Sequence, residues 1–195
     1  TGDSISTVMF NSGEDSLALL TDLTITRSDT IDTQVNGGGV FIENSSPTLD
    51  NVVITGNHGA ELGGGVYLYN SNATFNDVDI TLNSSTSEGG GVYMYFSNPA
   101  LNGLDVSDNN GGSAGGGLCI TSSSNPIISN ALISGNYATE GGGIYSTFGS
   151  NLSLSYLEVS ANTAVHGAGM YIRSSEAMVS DLVLTSNSSD IGGGI

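Results

Sequence analysis

The chain has no lysine, no tryptophan, one cysteine and three prolines among 195 residues. Arg27 and Arg173 stand alone against 19 acidic side chains, so the formal charge is −17. Each scarcity excludes something. A nucleic-acid partner needs several cations to displace counterions from phosphates, and two arginines do not supply them. Cys119 has no second cysteine to pair with, which rules out a disulfide framework within the chain. No stretch approaches the roughly 18 apolar residues of a spanning helix, so no transmembrane segment is expected. Few charges together with 29 glycines also argue against a helical bundle, because glycine costs about 1 kcal/mol relative to alanine at each helical position.

What is abundant is periodic. Glycine triplets begin at Gly37, Gly63, Gly89, Gly115 and Gly141, each 26 residues after the last, and a Gly-Ala-Gly variant begins at Gly167. A last triplet at Gly192 arrives one residue early. An aliphatic residue follows each: Val40, Val66, Val92, Leu118, Ile144, Met170 and Ile195. Further on, a second run ends in asparagine at Asn57, Asn83, Asn109, Asn136, Asn162 and Asn187, with Ser28 in the equivalent place of an incomplete leading copy. The apolar spacing within each unit is two, which excludes helical repeats. Three short apolar stretches separated by Gly, Asn, Ser and Asp clusters make one coil of a solenoid. The expected fold is therefore all-β: a parallel β-helix of about seven coils of 26 residues, three short strands each. One domain spans 1–195, with residues 1–21 an irregular opening coil or partial cap and 22–195 regular repeats. The chain stops at Ile195 in mid-coil, which reads as a fragment of a longer protein or a subunit that stacks end to end.

Stacking turns repeat positions into ladders. The asparagine column, Asn57 to Asn187, is expected at a tight turn with left-handed backbone angles, its amides bonding from coil to coil. The glycine triplets are expected to mark a corner where positive φ or close backbone approach excludes a Cβ. Five Asn-x-Ser/Thr sequons begin at Asn44, Asn72, Asn83, Asn151 and Asn187, as expected for so Asn- and Ser-rich a chain.

The pairs Ile54…Asn57 with Gly63-Gly64-Gly65-Val66, and Ile133…Asn136 with Gly141-Gly142-Gly143-Ile144, carry a resemblance. The chain resembles the right-handed parallel β-helix repeat proteins of the pectin-lyase-like superfamily. Its repeats are similar to those of polymorphic outer membrane proteins, with their Phe-x-x-Asn element followed by Gly-Gly-Ala-Ile. Here Ile, Val or Leu replaces Phe and Gly usually replaces Ala. The resemblance covers about residues 20–195. It implies a right-handed, extracellular or cell-surface solenoid, often an autotransporter passenger with an adhesive role, and transfers no catalytic residue.

Between the inward aliphatic columns lies an outward one: Phe41, Tyr67, Tyr93, Cys119, Tyr145 and Tyr171. The next outward column adds Glu43, Tyr69, Tyr95, Thr121, Thr147 and Arg173. Tyr67, Tyr69, Tyr93 and Tyr95 would form a flat aromatic patch. It reads either as a ladder stabilising its own strands or as a docking face for a glycan or protein. Asp79 and Asp105 share a column in adjacent coils, with Asp77 and Asp108 nearby. They read as solvated surface or as part of a calcium site, calcium being the only cofactor the sequence suggests.

Enzymatic chemistry finds little support. No Gly-x-Ser-x-Gly elbow occurs. The Asp79–Asp105 pair has no long inserted loops to wall a glycosidase cleft, the longest deviation being about Asp29–Thr33. His58 and His166 fall in what read as equivalent turns four coils apart, too distant to share a metal. No histidine is placed to activate Cys119. A hydroxyl column, Thr26, Thr55, Thr81, Ser107, Ser134, Ser160 and Thr185, raises an ice-binding alternative. The mixed neighbouring column Thr24, Val53, Asp79, Asp105, Leu132, Glu158 and Val183 argues against it. The reading is a non-catalytic adhesin, stalk or scaffold; the alternative is a carbohydrate-binding or carbohydrate-active solenoid.

Overall fold

The computed structural model describes residues 6–27 and 35–195, and every described element is a β-strand. The Asp29–Thr33 deviation and Ser28 lie outside the described residues. Two seven-stranded sheets run the length of the molecule, both entirely parallel. Sheet A collects the strands that follow the glycine triplets: β1 (Val8–Phe10), β3 (Val40–Glu43), β6 (Val66–Tyr69), β9 (Val92–Tyr95), β11 (Leu118–Thr121), β13 (Ile144–Ser146) and β16 (Met170–Ile172). Sheet B collects the strands before the asparagines: β2 (Leu19–Ile25), β4 (Thr48–Thr55), β7 (Thr74–Thr81), β10 (Ala100–Ser107), β12 (Ile127–Ser134), β14 (Asn151–Ser160) and β17 (Glu176–Thr185). The third side is thinner. There β5 (Ala60–Leu62) pairs with β8 (Ser85–Glu88) and β15 (Thr163–His166) with β18 (Ser188–Ile191), and isolated bridges through Asn110, Ala114, Tyr137 and Glu140 join the two pairs. This is the expected parallel β-helix. In-register pairing reaches back into the opening segment, where Val8 faces Val40 and Leu19 faces Thr48.

Among the described residues a third strand accompanies the two sheet strands in four coils and isolated bridges take its place in two, and the strands divide the repeat differently from the sequence reading. The weak stretch around Thr48–Leu49 and the run ending at Ile54–Thr55 form one strand, β4, bent at its middle. The bend residue takes a left-handed backbone: Asp22, Asn51, Asp77, Gly103, Asn130, Tyr156 and Asp181 all have φ between 49° and 69°. One such residue resets the alternation, so Leu49 and Val52, three apart, both face inward. The third strand lies instead after the asparagine, in what read as a turn.

The core is the stack of aliphatic columns. Val40, Ile42, Leu49, Val52 and Ile54 of one coil sit on Val66, Leu68, Phe75, Val78 and Ile80 of the next, all fully buried. Each such side chain stabilises the fold by roughly 1.5–3 kcal/mol. A rod with one narrow core depends on every coil contributing.

The asparagine column corrects its expected geometry. Asn57, Asn83, Asn109, Asn136 and Asn162 are buried, and none has a positive φ. The left-handed residue is the one before: Gly56, Leu82, Asp108, Gly135, Ala161 and Ser186. That kink turns the asparagine inward, where its amide ties three coils. Asn109 Nδ2 donates to Ile80 O of the preceding coil at 2.8 Å and to Asn136 Oδ1 of the following one at 3.0 Å; its own Oδ1 accepts from Asn83 N and Nδ2 at 2.9 and 3.1 Å. The glycine triplet makes room for this. The first glycine turns the corner with φ near 65°, as at Gly63. A Cβ on the third, Gly65, would lie 2.7 Å from Gly91 O and 3.0 Å from Asn83 Nδ2. Triplet and asparagine are two halves of one joint.

Candidate functional site

The outward aromatic column is assembled by sheet register, since Phe41 faces Tyr67, Tyr67 faces Tyr93, Tyr93 faces Cys119, Cys119 faces Tyr145 and Tyr145 faces Tyr171. Parallel in-register strands hold identical residues one rung apart, and the rings respond by stacking. Phe41–Tyr67 and Tyr67–Tyr93 have centroids 5.3 and 5.6 Å apart, with interplanar angles of 9° and 3°. Beside them Tyr69 stacks on Tyr95 at 5.6 Å, and Phe96 closes edge-on against Tyr95 at 4.5 Å. Tyr145 and Tyr171 form a separate stack at 5.5 Å. The patch is less flat than the sequence implied: Tyr93 is only 6% exposed, sunk beneath the rim that Tyr95 shares. Burial pushes the Tyr93, Tyr67 and Tyr145 phenols up, with nearby carboxylates adding to each shift. They therefore remain neutral, offering ring edges and hydroxyls along the stacks.

Cys119 breaks the column. It is fully buried, and its thiol donates to Glu88 Oε2 at 3.6 Å. Burial first, then the Glu88 charge and this hydrogen bond, hold the thiol well above its ordinary value, which keeps it protonated and a poor nucleophile. Burial likewise raises the Glu88 carboxyl, with a smaller push from Glu140 and an opposing pull from the Cys119 hydrogen bond. Where the ring is missing a cleft of about 380 Å³ opens, lined by Glu88, Tyr93, Tyr95, Thr121, Ser122, Tyr145, Thr147 and Phe148.

A second departure from the repeat borders the same cleft. Elsewhere three positions lead from the second inward residue of sheet A to a buried serine, as from Met94 to Ser97. From Ile120 to Ser124 and from Ser146 to Ser150 there are four. Ser122 and Phe148, at the left-handed corner position that Asn44, Asn70 and Phe96 hold in other coils, stand on the rim. The extra residue, Ser123 or Gly149, adds a second left-handed position directly after each. Phe148 is 70% exposed. Sequence reasoning noted Cys119 but missed this insertion; the 27-residue steps from Ser97 to Ser124 and from Asn98 to Asn125 were its signal.

The other predicted residues separate. Asp79 faces Asp105 across one rung of sheet B, and Asp77 occupies the bend column. Burial, then Asp105, raises the Asp79 carboxyl, and Asp105 Oδ1 is buried with no hydrogen-bond partner among the described residues. Two facing carboxylates fall far short of the 6–8 oxygens calcium takes. His58 and His166 are not in equivalent places, as the sequence suggested. His58 lies at the start of the third side, its Nδ1 3.0 Å from Ser84 Oγ, and His166 ends a strand there, bridged to Glu140. The hydroxyl column is in register, Thr81 Oγ1 donating to Thr55 Oγ1 at 3.0 Å.

Stacked coils of parallel strands joined by a buried asparagine ladder define a parallel β-helix repeat protein, here with an aromatic face that carries a cleft. Within that class the chain belongs to the NosD family, whose model, described as periplasmic copper-binding protein (NosD), matches residues 21–193. No curated protein and no solved structure gives a significant match.

Copper binds soft thiolate, thioether and imidazole ligands, and these residues do not gather to hold it. Cys119 is kept as a buried thiol, Met94 and Met170 are fully buried in the core, and Met9 and Met178 lie on the first and last rungs. The histidines occupy opposite ends of the third side. Among the described residues no three of His, Cys, Asp and Glu come together.

Proposed function

We propose that this protein is a non-catalytic β-helical scaffold working outside the cytoplasm, and that the aromatic stacks of sheet A hold a glycan. The observation that carries the reading is the run of rings at near-constant spacing, Phe41–Tyr67–Tyr93 with Tyr69–Tyr95 alongside. Tyrosine supplies apolar ring faces with a polar tip, which suits sugar rings and their hydroxyls, and a repeating surface suits a repeating polymer. The periplasmic description of the family accords with an extracytoplasmic site of action; display on the cell surface as an adhesin is the extended form of the same reading. A non-catalytic role is supported by the titratable groups themselves. Cys119 is shielded and protonated, and the Asp79–Asp105 pair stands on sheet B, away from the aromatic cleft.

A glycan array probed with the wild-type protein and with Tyr69→Ala combined with Tyr95→Ala tests this. Binding should fall at least about tenfold, the loss expected when aromatic anchors of a binding surface are truncated. Unchanged binding, or binding only to proteins, overturns it.

A further inference from the structure

We propose that the cleft at the break in the tyrosine ladder is a binding site for an organic cation, specifically a methylated ammonium head group. The two departures from the repeat converge on it. Cys119 removes one ring from the column, leaving Tyr93 and Tyr145 two rungs apart. In the same two coils the corner gains an extra residue, Ser123 and Gly149, directly after the rim residues Ser122 and Phe148.

The width of the gap selects the ligand. Two strand spacings put the Tyr93 and Tyr145 rings about 10 Å apart. Subtracting one ring thickness of about 3.5 Å leaves roughly 6 Å between the facing ring surfaces, above the buried Cys119 and the Glu88 carboxylate that accepts from its thiol. A flat sugar or aromatic ring is too thin to touch both walls at once. A tetrahedral methylated ammonium fills the gap, with its charge about 5 Å from each ring centre, inside the ~6 Å reach of cation–π attraction. Tyr95 and Phe148 supply further apolar surface beside it.

Charge completes the match. Among the described residues Glu88 is the only charged side chain lining the cleft. Its carboxyl is half-buried with no basic neighbour there, so it carries an uncompensated desolvation cost that a bound cation relieves. The chain's −17 adds a long-range field that draws cations and repels anions. The site shares Tyr93 and Tyr95 with the glycan surface, but Tyr69 stands outside the cleft and Glu88 outside the open stacks, so substitutions at those two positions let either reading fail alone.

The test titrates choline chloride into the purified protein at fixed ionic strength, read by calorimetry and by tyrosine fluorescence. Its neutral isostere 3,3-dimethylbutan-1-ol is titrated in parallel. The expected result is saturable choline binding, at least about fivefold tighter than the isostere and weakened at least about fivefold by Glu88→Gln. Cys119→Tyr restores the repeat's own residue and should abolish binding without loss of β circular dichroism. Should that variant fail to fold, Tyr145→Ala, which opens one wall and leaves the core intact, should weaken binding by a similar factor. Tyr69→Ala should leave choline binding unchanged. Equal affinity for the neutral isostere, binding insensitive to both Cys119→Tyr and Tyr145→Ala, or no saturable binding up to about 50 mM overturns the proposal.

Discussion

The corner after sheet B and the corner before it both carry asparagine ladders, built from the same amide and differing in burial. In the first, the side chains of Asn57 to Asn162 are enclosed between a glycine column and the aliphatic core and bond to both neighbouring coils, and the part-buried Asn187 closes the ladder. In the second, Asn72, Asn98 and Asn151 stand in solvent and Asn125 is half-buried. Asn125 N and Nδ2 both donate to Asn98 Oδ1 at 2.9 Å, and Asn151 N donates to Asn125 Oδ1 at 3.0 Å. The polarity is reversed: the buried amide donates its main-chain N–H to the following coil, the exposed one to the preceding coil. Beside the exposed ladder runs a buried serine ladder, with Ser71 N donating to Ser97 Oγ and Ser97 N to Ser124 Oγ, each at 3.1 Å. Equal geometry does not mean equal worth. Water replaces a lost partner in the exposed ladder, whereas in the buried one it cannot reach the orphaned donors.

The comparison is sharpest at one residue of the buried ladder. Asn109→Ala strips the acceptor from Asn83 N and Nδ2, removes the bonds to Ile80 O and Asn136 Oδ1, and leaves a small void. Two buried unsatisfied donors and that void together cost about 3–4 kcal/mol, or a drop in Tm of roughly 10 °C for a chain of this size. A thermal melt that falls by less than about 3 °C would show that solvent penetrates this corner, and would erase the distinction between the ladders.

The other half of the joint comes next. A Cβ at Gly117 lies 2.7 Å from Gly143 O and 3.1 Å from Asn136 Nδ2, so Gly117→Ala pushes the coils apart along the same seam. Overpacking of this kind costs about 1–3 kcal/mol. Because the two changes share Asn136, the double variant should lose less than the sum of the singles. Strict additivity in denaturant melts would break the claim that triplet and asparagine form one unit.

Much of this was legible in the sequence, and the residues show where legibility ends. Periods of 26 with inner alternation of two identify Val66, Leu68 and Ile80 as core, because an in-register stack gives every coil the same environment. The bend at Asn51 was hidden because a left-handed residue in mid-strand looks like a turn in sequence, although pairing continues on both sides. Misplacing that turn concealed the third strand, and with it the separation of His58 from His166. The cleft was hidden for a different reason. It lies beside two irregularities, Cys119 and the extra residues Ser123 and Gly149 that follow the rim, and these meet only when coils are stacked. Repeats reveal the scaffold, and their exceptions build the site.

In the exposed ladder the expected effect is small. Asn98→Ala removes the side-chain bond to Asn72 Oδ1 of 3.3 Å, keeps the main-chain donor to the same oxygen, and leaves Asn125 N and Nδ2 to water. The cost should stay near 0.5–1 kcal/mol, the ordinary net value of a solvated hydrogen bond. A loss equal to that of Asn109→Ala would mean that ladder continuity, rather than burial, sets the energy.

The smallest effect tests whether sheet B's outer face behaves as solvated surface. Asp79 and Asp105 face each other across one rung, and the Asp79 carboxyl is raised by burial and by Asp105. A carboxyl raised in the folded state favours folding when protonated. That contribution is complete below the ordinary aspartate pKa of about 3.9 and disappears as pH rises through the higher folded value. At neutral pH the pair is therefore a mild liability. Asp79→Asn should stabilise by roughly 0.2–0.5 kcal/mol at pH 7, a figure kept low because exposed charges are screened. The gain should vanish near pH 3 and shrink in about 1 M salt, where the Debye length falls to about 3 Å. A gain that persists at both extremes would mean that Asp79 acts through desolvation of its buried neighbour's unpartnered Oδ1 rather than through like-charge repulsion. Asp105→Asn should then give the larger stabilisation of the two.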